Sequence, residues 1–369
     1  MTHTEYIRTL RPISSKKAGK MSLSGNTYWN FSSNDYLGLS ESPILIKAAH
    51  QEARRFGVGA TGSRLLGGDY TLYHALEEAL ALFKHKPSAL LFNTGYQANS
   101  GLIRCIVGPG DVVFADKLIH ASLLDGIALS KATLFRFSHN AMPHLERLLK
   151  KHRHEGKKAL IISETVFSME GDTAPVQALI QLKLNYHCDL FLDEAHAIGV
   201  MGNSGEGLID SKPLAEHVDY MVGTFGKAFG GFGAFVACSE TFKQHLITTC
   251  RSFVFSTALP PAVIASNLAA LALIQTKKPY RAFQKKVNLF RKYLLPLGPQ
   301  ILGTTHIIPI LYKDPEITQK KAFKLQEKGF WIQPIHPPTV PAGQSRLRIS
   351  LSLAHPNSVL EALSKSLRV

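Results

Sequence analysis

Apolar runs of four or five residues recur through the middle of the chain. They predict strands at Ala89–Phe92, Val112–Ala115, Thr133–Phe137, Ala159–Ser163, Asp189–Leu192, Tyr220–Gly223 and Ala234–Cys238. Between most of them the pattern changes to a helical period, at Gln97–Val107, Ala121–Leu129 and Met142–Lys151. Upstream, Ile44–Phe56 reads as a helix, and Leu72, Leu76, Leu80 and Phe83 fall at helical spacing. Strand–helix alternation predicts an α/β fold whose mostly parallel sheet carries helices on both faces. Ligands in such sheets bind outside the carboxyl ends of the strands. Residues 1–40 read as an N-terminal arm, with a short strand at Tyr28–Phe31 and turn chemistry over Ser32–Gly38. Gly57, Gly59, Gly62, Gly67 and Gly68 crowd the loop that follows. The large domain is expected over residues 41–276. A basic helix at Lys277–Lys292 then opens a smaller α/β domain, 277–369. Its strands are expected at Thr305–Tyr312, Trp331–Gln333 and Arg346–Ser350, and its helices at Thr318–Lys328 and Ser358–Leu367.

The composition agrees with two lobes, because 369 residues at 45% hydrophobic content exceed what one core usually supports. Lys and Arg number 42 against 27 Asp and Glu, and the resulting +15 points to an anionic partner: nucleic acid, a membrane surface, coenzyme A or an acidic carrier protein. The denser basic stretches, Arg147–Lys158 and Lys277–Lys292, read first as solvated helix faces. A nucleic-acid partner is not expected, since no stretch interleaves aromatic and basic residues. Cys105, Cys188, Cys238 and Cys250 form no CxxC pair and read as reduced thiols of a cytoplasmic protein. The first twenty residues carry no apolar core of a signal peptide. Ala262–Ile274, the longest apolar segment, is too short for a bilayer and contains Ser266 and Asn267, so no membrane span is expected.

The chemistry concentrates after two of the apolar runs. Leu190–Leu192 ends in Asp193-Glu194-Ala195-His196, and Tyr220–Gly223 ends in Thr224-Phe225-Gly226-Lys227. A lysine able to form a Schiff base, with an aspartate able to hold a pyridinium nitrogen, is what a pyridoxal phosphate enzyme requires. Asp-Glu-Ala-His also spells a helicase motif, but the phosphate loop that such a motif needs is missing upstream. Cys and His at zinc spacing are missing too, so no metal is expected. Asn93-Thr94-Gly95-Tyr96 opens a helix, where free N–H groups suit a phosphate. A lone histidine such as His120 is more often structural than catalytic.

The order of these motifs resembles the α-oxoamine synthases, a family of fold-type I pyridoxal phosphate enzymes. Phe31-Ser32-Ser33-Asn34-Asp35-Tyr36-Leu37-Gly38-Leu39 resembles the family's opening signature, and Gly62-Ser63-Arg64-Leu65-Leu66-Gly67-Gly68 follows it. His120-Ala121-Ser122, Val166–Asp172, Asp193–His196 and Thr224–Lys227 then come in the family's order. The resemblance runs from about Asn30 to the C-terminus. It implies that Lys227 carries pyridoxal 5'-phosphate, Asp193 pairs with the ring nitrogen, His196 meets the phenolic oxygen and His120 stacks on the ring. Gly95, Tyr96 and Thr224 would bind the phosphate, and Ser168 would lie against the cofactor. Ser256 and Thr257 would reach the phosphate of a neighbouring subunit, which implies a homodimer with shared active sites. Arg348 would clamp the amino-acid carboxylate, with Asn34, Thr339 and Arg8 as further substrate contacts and Arg11 close enough to compete with Arg8. Pro337-Pro338-Thr339-Val340-Pro341 looks most like the member that joins L-alanine to a pimeloyl thioester on coenzyme A or an acyl carrier protein. Sister enzymes that use glycine or serine are the alternatives, and a non-catalytic basic nucleic-acid-binding protein is the remote one. In Ile335-His336-Pro337-Pro338 a histidine stands where the family usually has an arginine.

Overall fold

The computed structural model describes residues 9–368. Among these, an N-terminal meander comprises β1 (Ile13–Lys17), β2 (Lys20–Leu23) and β3 (Asn26–Asn30). The central sheet holds β4 (Ser88–Phe92), β5 (Val112–Asp116), β6 (Thr133–Phe137), β7 (Ala159–Glu164), β8 (Asp189–Asp193), β9 (Tyr220–Thr224) and β10 (Ala234–Cys238). The C-terminal part adds β11 (Ile307–Lys313), β12 (Phe330–Trp331), β13 (Pro334–Ile335) and β14 (Ser345–Ser350).

The central sheet runs β4-β10-β9-β8-β7-β5-β6. All its pairings are parallel except those of β10, which runs against both β4 and β9. The reversal follows from chain length. The loop Phe225–Gly233 between β9 and β10 is shorter than the dozen or so residues that a parallel crossover needs. Gly230 lets this loop lie flat on its neighbour: its φ is +65°, and a Cβ there would sit 2.2 Å from the Ser40 nitrogen.

Both faces of the sheet are covered, as alternate residues dictate. Leu90, Val113, Leu160, Phe191 and Val236 pack with Ala98 and Leu102 of helix Gly95–Ile106 and Leu123 of helix Ala121–Ser130. Leu91, Phe114, Ile161, Leu190 and Phe235 belong to the opposite layer, with Leu76 and Leu80 of helix Thr71–Phe83 and Leu179 of helix Val176–Asn185. Each such side chain contributes roughly 1.5–3 kcal/mol relative to exposure. The apolar segment Ala262–Ile274 lies in helix Pro261–Gln275, which packs on helix Pro43–Phe56. No helix of the described residues is long and apolar enough to cross a membrane.

Two regions differ from the sequence expectation. The N-terminal stretch has three strands rather than one, joined at Ala18-Gly19 and Ser24-Gly25, where all four residues have positive φ. The strand expected at Trp331–Gln333 is split. Phe330–Trp331 pairs in parallel with β3, whereas Pro334–Ile335 pairs antiparallel with β14, so the chain changes sheets across Ile332-Gln333. Proline, which offers no N–H to a ladder, marks the change.

The segment between β3 and the first helix threads to the carboxyl ends of the central strands. Ser350 N donates to Phe31 O at 2.8 Å and Leu353 N to Tyr36 O at 2.8 Å, tying this segment to the end of β14. The basic helix Lys278–Leu294 buries Phe283, Val287, Phe290 and Leu294. Two of its cations hold backbone: Lys286 Nζ donates to Leu353 O at 3.1 Å and Arg291 Nε to Thr305 O at 2.8 Å.

Candidate active site

Six chain segments meet at the carboxyl end of the sheet, carrying Asn34 and Tyr36, Asn99, Ser168, Asp193 and His196, Lys227, and Arg348. Asp193 closes β8. Its Oδ2 accepts from Asn99 Nδ2 at 2.8 Å and its Oδ1 from Ala195 N at 2.8 Å. One turn on, His196 places Nε2 2.8 Å from Lys227 Nζ and Nδ1 2.7 Å from the Tyr36 hydroxyl. Lys227 comes from the loop after β9, where Gly226 N donates to Thr224 Oγ1 at 3.3 Å and Thr224 Oγ1 donates to Gly233 O at 2.9 Å. Arg348, from β14, donates through Nη1 to Asn34 Oδ1 at 3.3 Å and through Nε to Ser168 O at 2.5 Å. The turn carrying Ser168 is clamped on its other side, where Arg346 Nη1 donates to Met169 O at 3.0 Å and His139 Nε2 lies 2.9 Å from Asp172 Oδ2.

The surroundings tune these groups. Desolvation pulls the Lys227 amine down to about 8, against the opposing pull of Asp193 and Glu164. Burial, reinforced by Lys227 and Arg348, holds His196 well below the usual imidazole range, so its ring is neutral. Burial and the adjacent Asp193 push Glu164 well above the usual carboxylate range. Glu164 pairs with Asp193 across β7 and β8, and as a neutral acid it spares Asp193 a like charge. Partial desolvation lowers His120 as well.

The donors fit pyridoxal phosphate. A recessed lysine amine, a buried carboxylate oriented by two N–H groups and a neutral histidine converge. Beside them begins helix Gly95–Ile106, capped by Thr94, whose Oγ1 accepts from Gln97 N at 3.1 Å. A Cβ on Gly95 would meet nothing within 4 Å, so the space over that helix end is open to a phosphate.

The other expected residues fall at varied distances from this centre. His120 caps helix Ala121–Ser130, its Nδ1 accepting from Ser122 N at 3.2 Å, and its ring is exposed toward Tyr96. The Tyr96 hydroxyl bonds Asp125. Ser256 and Thr257 lie beside the β4 turn of the same chain. Gln97 Nε2 donates to Ser256 Oγ at 3.2 Å, and Asn93 Nδ2 to Thr257 O at 2.7 Å. Thr339 is exposed on the turn after His336, to whose carbonyl it donates through its backbone at 3.0 Å. Arg11 stacks over Trp331, 5.2 Å from the ring centroid, while Arg8 lies outside the described residues.

The family model for aminotransferase class I and II matches residues 26–367. An 8-amino-7-oxononanoate synthase of Geobacter sulfurreducens is 45% identical over 358 residues, covering 96% of this chain and 91% of that protein. The chain belongs to the 8-amino-7-oxononanoate synthase family. A solved structure of that family from Francisella tularensis superposes with a TM-score of 0.78 at 28% identity, over 92% of this chain and 96% of the other. A serine palmitoyltransferase solved with its pyridoxal phosphate internal aldimine reaches a TM-score of 0.92 at 27% identity, over 97% and 91%.

Asn99, Glu164 and Tyr36 join this cluster of side chains and are not among the residues expected from sequence. Asn99 carries a detectable signal, as a polar residue on the helix face that otherwise buries Ala98, Leu102 and Ile103. Tyr36 lies inside the opening signature, but nothing in the spacing tells that its hydroxyl reaches a residue 160 positions on.

Proposed function

We propose that this chain is a pyridoxal-phosphate-dependent acyltransferase that condenses L-alanine with a pimeloyl thioester, giving 8-amino-7-oxononanoate, CO2 and the free thiol carrier for biotin synthesis. The observation that carries the reading is the lysine amine 2.8 Å from a neutral histidine, in one cleft with Asp193 and Arg348, in a chain of this family. When bound, pyridoxal phosphate supplies an electron-poor ring that stores the electron pair left at the amino-acid Cα. Lys227 would hold the cofactor and, once free, take the Cα proton at Nζ, for which an amine near 8 is suited. The Asp193 carboxylate would keep the ring nitrogen protonated, and Asn99 and Ala195 N fix its aim. His196 would hold the phenolic oxygen, His120 would cover the ring face, and Ser168 would lie along the cofactor. Gly95, Tyr96 and Thr224 would take the phosphate, with Ser256 and Thr257 serving a neighbouring subunit. Arg348 offers the alanine carboxylate a planar fork beside Asn34, while Arg8 and Thr339 would meet the substrate farther out.

The enzyme works as a cytoplasmic homodimer in this reading. Exposed apolar side chains support the dimer: Leu66 and Phe255 are 83% and 72% exposed, and Phe255 directly precedes Ser256. Steady-state rates with alanine, glycine and serine, each with pimeloyl and acetyl thioesters, test the assignment. Alanine with the pimeloyl donor should turn over fastest. Faster turnover of glycine with the acetyl donor would move the chain to a sister activity.

A further inference from the structure

A directed line of hydrogen bonds joins the recessed lysine to the buried arginine. Lys227 Nζ lies 2.8 Å from His196 Nε2, and His196 Nδ1 lies 2.7 Å from the Tyr36 hydroxyl. That hydroxyl lies 3.1 Å from Asn34 Oδ1, which is also 3.3 Å from Arg348 Nη1. Below pH 8, where Lys227 is an ammonium, both ends of the line are donors, because neither an ammonium nor a guanidinium has an acceptor. Arg348 therefore fixes the Asn34 amide with its oxygen inward. With that oxygen as its partner, the Tyr36 hydroxyl, which also accepts from Arg348, gives its one proton to Asn34 and keeps a lone pair to accept from His196. The imidazole then carries its proton on Nδ1 and turns the Nε2 lone pair to Lys227. Each joint forces the next, and no proton is left over.

We propose that Tyr36 is a positioning residue whose hydroxyl secures at Nδ1 the His196 tautomer that the partner at Nε2 requires, turning between Asn34 and His196. With Lys227 at Nε2, the hydroxyl accepts from Nδ1–H and donates to Asn34. With an anionic oxygen at Nε2, the imidazole must donate there, and the hydroxyl turns to donate to the bare Nδ1. Asn34 keeps a partner in Arg348 throughout. Identifying that anionic oxygen as the phenolic oxygen of the cofactor rests on the function proposed above.

A hydroxyl suits this task because it donates and accepts at one atom and rotates in place. The surroundings leave no substitute for it. Tyr36 is fully buried and His196 is 6% exposed, so water cannot take over at Nδ1. The ring itself is fixed by packing: His306 stands edge-on at 4.3 Å between centroids, and Phe283 lies at 6.4 Å. Replacing Tyr36 by phenylalanine thus removes the hydrogen bond and keeps the packing. Asn34 and Tyr36, two residues apart, would join the amino-acid contact to the orientation of the histidine.

The test is nitrogen NMR of 15N-histidine-labelled protein, cofactor-free and then loaded with pyridoxal phosphate, for wild type, Tyr36→Phe and Asn34→Ala. The cofactor-free wild type should hold His196 as the single Nδ1–H form, and loading should convert it to Nε2–H. Tyr36→Phe should lose the single form. Asn34→Ala frees the hydroxyl proton for Nδ1 and should let Nε2–H appear beside Nδ1–H in the cofactor-free protein, which keeps the test alive if Tyr36→Phe does not fold. In turnover, Tyr36→Phe should lower kcat on the order of 10- to 100-fold, the loss typical when a partner that orients a metal-binding histidine is removed. The KM for alanine should change by less than about threefold, because the deleted hydroxyl makes no hydrogen bond to the ground-state substrate. Nε2–H in the cofactor-free wild type, or a Tyr36→Phe protein with the wild-type tautomer and kcat, overturns the proposal. Absence of alanine turnover in wild type, with the tautomer pattern intact, would overturn the function and leave Tyr36 in its role.

Discussion

Lys84 and Lys227 are set into the same fold in opposite ways. Lys84 ends helix Thr71–Phe83 and is 1% exposed. Its ammonium lies 2.5 Å from Glu194, itself 1% exposed, and donates to Ile209 O at 3.1 Å. Glu194 Oε1 also accepts from Leu208 N at 2.8 Å, so the pair closes the loop after β8. Lys227 sits in the open cleft, and its hydrogen-bond partner is a neutral imidazole rather than a carboxylate. The adjacent acids of Asp193-Glu194 divide accordingly. Asp193 faces the cleft and Glu194 faces the lock on Lys84, because successive residues at a strand end point to opposite sides. A contact ion pair holds a lysine as a structural cation. A lysine desolvated beside neutral partners becomes the reactive amine.

The largest effect is expected at the cleft. Lys227→Ala should lower kcat for the condensation by on the order of 10³-fold or more, through loss of both the covalent attachment and the base. Its thermal midpoint should stay within a few degrees of wild type. A residual rate above a tenth of wild type would break the contrast.

Next comes the lock. Lys84→Met leaves Glu194 as an uncompensated buried charge and should cost about 3–5 kcal/mol of stability. Adding Glu194→Gln, which removes the charge and keeps an acceptor for Leu208 N, should recover most of that loss, and each folded molecule should keep its kcat within about twofold. Denaturant unfolding of the single and double variants checks this, and equal instability of the two would contradict it.

A smaller effect should appear with pH. The folded-state Lys227 amine lies near 8, below its ordinary value, so the unfolded chain binds more protons between there and about 10.5. This group therefore costs stability below pH 8, and the cost fades as pH rises to about 10.5. Cofactor-free wild type should gain on Lys227→Met across that window. Parallel stability curves would show that the amine is not desolvated.

The smallest effect is expected at His336, whose ring lies 3.5 Å from Ser345 Oγ and is kept neutral by partial burial. His336→Arg should leave the KM for the acyl thioester unchanged or lower it. A large rise would give the histidine a role of its own.

The sheet and much of the site were legible in the chain because they follow from local chemistry. Seven short apolar runs became seven strands, and Asp193, His196 and Lys227 follow their strands at spacings that the backbone carries directly to one edge. The hairpin turns at Ala18-Gly19 and Ser24-Gly25 were readable in principle, since glycine at the second position suits a two-residue turn. Exposed, polar β1 offered no alternation to support them. Asn99, Glu164 and Tyr36 act through partners brought together by the crossovers, and no local pattern encodes such a distance. The helix face was legible for Lys277–Lys292, but Arg147–Lys158 leaves its helix after His152, and Arg153 there holds the carbonyls of Tyr186 and Lys157. Nor was the use of Lys286 and Arg291 to hold carbonyls of the C-terminal segment legible.

The most direct test of the contrast between the two lysines is to load the protein with pyridoxal phosphate, reduce it with borohydride and map the modified peptide. The account predicts one stoichiometric label, on Lys227, with Lys84 unmodified. A label on Lys84, a spread over surface lysines, or none at all would contradict it.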